Sequence, residues 1–295
     1  MITEKKGLLA ALTPFLAFCG ISAVSSCTSN SSGDEIADFR TDSISCTDSI
    51  MTPHAKAFCA ISVDYPSEGK GELVDSVREW IAEQLSSIGY TSGNTPLPYA
   101  AAATDVTNGP RLIKSVCDTV LADTRQEFAS LDTLISMSPD FSIEYQYDWD
   151  IRKIFETPEY ITYMSTTYAF LGGAHGASSA IGQTFVAATG EALGLGMFRP
   201  DALPKVTSLV KEGLTRYFRE SGAGILRDAL LINPDTLPLP ATPPYLTGEG
   251  VHFIYQQYEI APYASGMPGC VIPYSALDSC LTPAVAALVT PPATH

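Results

Sequence analysis

Apolar and polar residues alternate with a period of two from position 140 onward. Phe141, Ile143, Tyr145, Tyr147, Trp149 and Ile151 are interleaved with Ser142, Glu144, Gln146, Asp148, Asp150 and Arg152. Successive side chains of a strand point to opposite faces, so this segment predicts a strand with one buried and one wet face. Tyr160 to Leu171 and Ala177 to Ala188 predict two more strands, and Thr189-Gly190-Glu191 supplies turn chemistry after the third. The three pair most simply as an antiparallel meander. Upstream, Cys59, Ile61, Val63 and Tyr65 alternate in a half-buried strand that Pro66 is expected to end. Leu73, Val77, Trp80, Ile81, Leu85 and Ile88 then recur at helical spacing, with Gly89 as a stop. A Gly, Pro and Ala-rich loop over residues 90–109 leads to a second helix, begun near Pro110 and carried by Leu112, Val116, Val120 and Leu121 towards Phe128.

After the meander, Asp201 can cap a helix with Leu203, Val206, Val210, Leu214, Tyr217 and Phe218 as its buried positions and Gly222 as its stop. A Pro-rich stretch over residues 234–244 precedes a strand from Val251 to Tyr258 and a last short one from Cys270 to Tyr274. The expected class is α+β, an antiparallel sheet with helices packed on one face. The chain after the amino terminus is long enough for one large domain or two intimate small ones, and the two-domain reading places a small α+β domain over 46–135, a larger one over 136–287 and a tail over 288–295. No repeat array is present.

The amino terminus changes the picture. Lys5 and Lys6 precede an apolar run from Gly7 to Phe18, and Ser22-Ala23-Val24-Ser25-Ser26 leads into Cys27. That run is shorter than the roughly 20 apolar residues of a membrane span. It reads as a signal peptide over 1–26 ending in a lipobox, with Cys27 as the lipid attachment site and 27–45 as a Ser-rich flexible tether. A plainly cleaved signal is the alternative. The location implied is the cell envelope, lipid-anchored to a bacterial membrane and periplasmic or surface-exposed.

The chain carries 17 Lys and Arg against 32 Asp and Glu, a net charge of −15. Removing residues 1–26 takes away two lysines and one glutamate, leaving 15 against 31, or −16. Such a balance argues against nucleic acid, whose phosphates need basic patches, and against docking on anionic lipid. It favours a cationic protein partner, although many exported proteins are acidic for solubility alone. Of the 7 cysteines, Cys19 lies in the signal and Cys27 at the anchor, leaving Cys46, Cys59, Cys117, Cys270 and Cys280. Cys46 with Cys59, and Cys270 with Cys280, bracket short segments and are candidate local disulfides, with Cys117 left over on a helix. No Cys-x-x-Cys occurs.

Candidate chemistry is sparse. Outside the carboxyl terminus, only His54, His175 and His252 remain as imidazoles, with no metal-ligand spacing and no Gly-x-Ser-x-Gly elbow. No cofactor, metal ligand set or catalytic residue is assigned. Asp148, Asp150 and Glu144 share one strand face, which solvation explains better than paired acid–base chemistry. Two segments stand out. Gly172-Gly173-Ala174-His175-Gly176 is a glycine-shaped junction between two strands, and Tyr255 to Gly266 is rich in tyrosine, which suits recognition. Gly172, Gly173, His175, Gly176, Tyr258 and Tyr263 are the candidate binding residues.

Those two segments, with Thr189-Gly190-Glu191 and Ile272-Pro273-Tyr274, resemble the extracytoplasmic domain of RsiV-type anti-sigma factors over roughly Asp140 to Pro283. Ile61-Ser62-Val63-Asp64-Tyr65-Pro66 and the helix after it resemble the small companion domain found there and in PdaC-type peptidoglycan deacetylases. The resemblance implies an envelope-facing binding domain, whose ligand in the RsiV-type sensors is lysozyme. The internal transmembrane helix, the cytosolic sigma-binding segment and a deacetylase domain are not recognisable in this sequence. The expectation is therefore a noncatalytic, lipid-anchored envelope protein that binds a cationic protein such as lysozyme, or peptidoglycan fragments. It would touch the membrane only through its anchor. The alternative is an envelope hydrolase or carbohydrate-processing enzyme using His175 with a carboxylate.

Overall fold

A hairpin and a meander share one sheet. The computed structural model describes residues 38–90, 96–98, 105–136, 142–222 and 224–290. Arg40–Met51 (β1) and Ala55–Glu68 (β2) form the hairpin. Gly71–Leu85 (α1), a small pair made by Ser87–Tyr90 (β3) and Pro96–Pro98 (β4), and Gly109–Ser136 (α2) follow. Ile143–Glu156 (β5), Tyr160–Leu171 (β6) and Ala177–Val186 (β7) form the meander, and the two-residue Ala192–Leu193 (β8) closes the edge. The sheet order is β1-β2-β5-β6-β7-β8. Ala55 to Val63 runs parallel to Ile143 to Ile151. Parallel neighbours require a long crossover, and that crossover contains α1 and α2, which brings both helices onto one face. There Leu73, Val77, Trp80 and Ile81 of α1 and Ile113, Val116 and Val120 of α2 bury Ala57, Ile61, Val63, Tyr147, Trp149, Ile151 and Tyr163.

The other face of β6 and β7 meets a second core. Leu203–Glu220 (α3) packs on a sheet of Tyr245–Thr247 (β9), Gly250–Ile254 (β10) and Gly269–Ile272 (β11), ordered β11-β10-β9. Several contacts hold this unit against the large sheet. Thr162 Oγ1 donates to Leu246 O at 2.7 Å and lies 2.8 Å from Thr184 Oγ1, which accepts the Leu246 N–H at 2.8 Å. Gly182 lies under the Tyr245 ring, where an added Cβ would come within 2.1 Å of Cδ1. Gln256 bonds the backbone of Ala180. No helix among the described residues is long and apolar enough to cross a membrane.

The structure bears out the α+β class and the β5–β6–β7 meander, and revises several details. The expected tether ends early, because residues from Arg40 onward belong to β1. The expected boundary between residues 135 and 136 is crossed by the β2–β5 pairing, so both blocks share one sheet. Pro66 does not end its strand; it pairs opposite Thr41 where β2 has lost its second neighbour, so the missing N–H removes no ladder bond. Asp201 bonds Arg199 rather than capping α3. The strand expected over 251–258 stops at Ile254. The signal at 1–26 and Cys27 lie outside the described residues, as do parts of the 90–109 loop and of the 288–295 tail.

The two candidate disulfides are not formed: Cys46, Cys59, Cys270 and Cys280 are all free. Register explains the first pair. Cys46 stands opposite Ile61 and Cys59 opposite Asp48, so the two are diagonal neighbours about 7–8 Å apart. A disulfide needs Cβ atoms about 3.5–4.5 Å apart. In the second pair, Cys270 points at α3, with Sγ 3.8 Å from Val210 O and Cβ against Gly213. Cys280 is buried in a turn, its N–H bonded to Leu277 O at 2.7 Å.

Candidate binding site

The glycine junction is the turn between β6 and β7, and its glycines serve different needs. Gly172 has φ +73°, the left-handed region that glycine adopts without strain. Gly176 lies on the ring of Tyr168, where a Cβ would come within 2.3 Å of Cε2. Between them His175 is exposed, and its ring stacks on Tyr263 with centroids 3.8 Å apart. Nδ1 donates to Gly176 O at 3.0 Å, which leaves Nε2 to accept from the Tyr258 hydroxyl at 3.3 Å. Tyr258 and Tyr263 lie 5.8 Å apart, completing an aromatic cluster. Tyr258 is 42% exposed, and its φ of +65° is the one positive value outside glycine among the described residues. A bulky residue pays strain for that conformation, and such strain persists where the surroundings impose it and collects at functional sites.

The imposing groups are two glutamines between the tyrosines. β7 pairs with β8 only through Thr184 and Phe185, so among the described residues its earlier part has no strand on that side. Gln256 fills the gap, accepting from Ala180 N at 3.0 Å and donating to Ala180 O at 2.7 Å. Gln257 accepts from Ser178 N at 2.8 Å. Glu259 ties the segment from behind, accepting from Gln256 N at 2.7 Å and Ala241 N at 2.9 Å. Burial raises its carboxyl pKa, and those two N–H groups pull the other way. Tyr255 is fully buried and donates to Pro238 O at 2.7 Å. Sequence reasoning singled out the tyrosines; it missed the glutamines that aim Tyr258.

It also missed the surface beside the cluster. On the face of the large sheet away from α1 and α2, register aligns two rows of side chains. Thr47, Ala60, Asp148, Tyr168 and Ser178 form one, and Ser45, Ser62, Asp150 and Thr166 the other. They line a concavity of about 610 Å³ that Met267 closes at one side. Tyr168 belongs to both surfaces, flooring the groove and carrying Gly176. Arg152 is held by Asp64 at 3.1 Å, Asp150 at 2.7 Å and Ser62 Oγ at 2.5 Å. Asp148 has no ion pair among the described residues; Gln146 Nε2 donates to it at 2.5 Å. Burial raises its carboxyl pKa, partly offset by that bond. The groove is thus lined by two carboxylates, Asp148 and Asp150, of which Asp150 is paired with Arg152, and it is acidic.

The histidines do not converge. His54 lies at the β1–β2 turn, its carbonyl accepting from Ile143 N at 2.9 Å. His252 stacks on Tyr245 at 4.8 Å with Nε2 2.7 Å from Thr247 Oγ1, and burial lowers its pKa. Among the described residues no carboxylate bonds either nitrogen of His175.

Residues 197–275 match the family model described as a protein of unknown function, DUF3298. That span holds α3, β9 to β11 and the Tyr258–Tyr263 segment, but not the glycine junction. No curated protein matches the chain. Among solved structures, the fold is similar to a DUF3298 family member from Bacteroides fragilis NCTC 9343, at 17% identity over 86% of this chain and 98% of that one, with a TM-score of 0.64. It is also similar to a DUF3298 family protein from Pseudomonas aeruginosa PAO1, at 16% identity over 84% and 96%, with a TM-score of 0.52.

Proposed function

We propose that this chain is a noncatalytic, lipid-anchored binding protein of the bacterial envelope. Its partner is a cationic, lysozyme-like protein held by the His175–Tyr258–Tyr263 cluster and the acidic groove beside it. The observation that carries the reading is the cluster itself: three exposed or half-exposed rings, one held at a strained φ, next to carboxylates that outnumber their cation. Aromatic anchors beside complementary charge are the usual make-up of a protein-binding hot spot. The lipobox, the mature charge of −16 and the resemblance to the RsiV-type extracytoplasmic domain support the same reading. The resemblance of the first block to the PdaC-type companion domain supports an envelope setting. A hydrolase using His175 with a carboxylate lacks support, since among the described residues its ring nitrogens meet the Gly176 carbonyl and the Tyr258 hydroxyl.

Calorimetric titration of the purified protein with lysozyme at low and moderate salt tests this. Binding that weakens as salt rises is expected, with a loss of at least about tenfold in Tyr263→Ala, because truncating a central aromatic anchor removes about 2 kcal/mol. No binding at low salt overturns the lysozyme reading. Binding of soluble peptidoglycan fragments in its place assigns the groove to a glycan.

A further inference from the structure

A separate cavity of about 420 Å³ opens where the β1–β2 turn meets α2. Its walls are apolar: Ile50, Ala55 and Phe128 are buried there, with Pro53 beside them. The turn is firmly built. Thr52 N donates to Ala55 O at 2.8 Å, and Thr52 Oγ1 donates to the same carbonyl at 3.0 Å while accepting from Ala55 N at 2.8 Å. The helix side is fixed as well, since the Phe128 ring packs on Tyr145 with centroids 5.1 Å apart. Two polar side chains are left facing the cavity, Arg125 of α2 and the half-buried His54 of the turn. Neither makes a side-chain hydrogen bond or ion pair among the described residues. Glu127, two residues along α2, accepts from the Tyr145 hydroxyl at 2.8 Å and does not pair with Arg125.

We propose that this cavity binds a small carboxylate with an apolar body, its carboxylate on Arg125 and His54 and its body against Ile50, Ala55 and Phe128. A guanidinium offers parallel N–H groups that match both oxygens of a carboxylate, and an imidazole N–H can donate to the same group. Charge selects the head. In a chain of net charge −15, a guanidinium with no acid paired to it is a place where an anion meets attraction rather than repulsion from its immediate neighbours. An ion pair open to water contributes little, so the ligand also needs apolar surface to bury against the walls. The volume suits this, lying within the roughly 300–1,000 Å³ of small-molecule sites. The cavity shares no lining residue with the acidic groove, and the inference stands apart from the lysozyme reading.

The test titrates the purified protein calorimetrically with octanoate and with phenylbutyrate, each beside the neutral alcohol of the same skeleton. At least one carboxylate should bind, and at least about tenfold more tightly than its alcohol, the difference expected of hydrogen bonds to a charged group. Arg125→Gln should bring that carboxylate down to the affinity of the alcohol. Ala129→Phe, at an exposed helix position on the cavity wall, should fill the space and abolish binding while leaving Tm close to that of wild type. No binding of either carboxylate, equal binding of acid and alcohol, or full affinity retained in Arg125→Gln or in Ala129→Phe overturns the proposal.

Discussion

The two faces of the six-stranded sheet are built from the same strands and do opposite things. On β5, Tyr145, Tyr147, Trp149 and Ile151 are buried beneath the helices, whereas Gln146, Asp148, Asp150 and Arg152 look outward. The outward face is itself divided. Over β6 and β7, the residues Thr162, Gly182 and Thr184 are covered by the second unit, and there the polar atoms are paired with one another or with Leu246. Over β1, β2 and β5, no described residue closes over Ser45, Thr47 and Asp148, and they line the groove. One alternating strand pattern therefore yields a core, a sealed polar seam and an open polar face. What covers a position decides which of the three it becomes.

The contrast between adjacent residues of β5 breaks most sharply at Trp149. The indole is 1% exposed, and Nε1 donates to Ser87 O at 3.0 Å. Trp149→Ala should destabilise the fold by about 3–5 kcal/mol, the sum of lost transfer energy and a cavity that helices cannot collapse into. Urea unfolding of this variant beside Thr166→Val, which sits on the open face and should stay within about 0.5 kcal/mol of wild type, measures the comparison. Equal losses from the two would mean that the open face is no less structural than the core.

The sealed seam should fall between these limits. Thr184 is fully buried, shares a hydrogen bond with Thr162 and accepts from Leu246 N. Thr184→Val keeps the shape and leaves the Leu246 N–H without its acceptor, a loss of about 1–3 kcal/mol for a buried unsatisfied group. Chemical unfolding reads it, and a double variant with Thr162→Val should lose less than the sum of the two single changes, because they share one bond. Additive losses would show that the hydroxyls act separately.

How much of this the sequence disclosed follows from the same division. The covered face of β5 was legible because four aromatic or aliphatic residues alternate with polar ones, and the glycine junction and tyrosine segment were legible as unusual composition. β1 was not, since its outward side is Ser43, Ser45, Thr47 and Ser49 and its inward side holds only Ile44, Cys46 and Ile50 as apolar contacts. That composition matches a tether as well as an edge strand. The groove was illegible for a different reason: Thr47, Ser62, Asp148 and Tyr168 come from four strands, and only the parallel β2–β5 pairing aligns them. A long-range pairing leaves no local signal. The glutamines that position Tyr258 likewise gain meaning only once β7 is seen to lack a neighbour there.

Asp148 gives the smallest and most diagnostic effect, because it stands where the open face begins to close. Burial raises its folded pKa above the unfolded value of an ordinary aspartate near 3.8. For an acid shifted upward, the stabilising contribution is full below the unfolded pKa and is lost as pH rises through the folded one. Asp148→Asn carries no such loss. The two proteins should therefore match in Tm at the acidic end, and the variant should gain on wild type as pH rises past that pKa, by under about 1 kcal/mol since the carboxylate is partly open to water. Lysozyme binding should move the opposite way: the ionised carboxylate attracts a cation, so wild type should hold the partner more tightly above that pKa and lose the advantage below it. Parallel Tm curves across the acid range would mean that Asp148 is as well solvated as any surface acid. A pH-dependent stability gain without a matching loss of affinity would place the partner on the aromatic cluster alone.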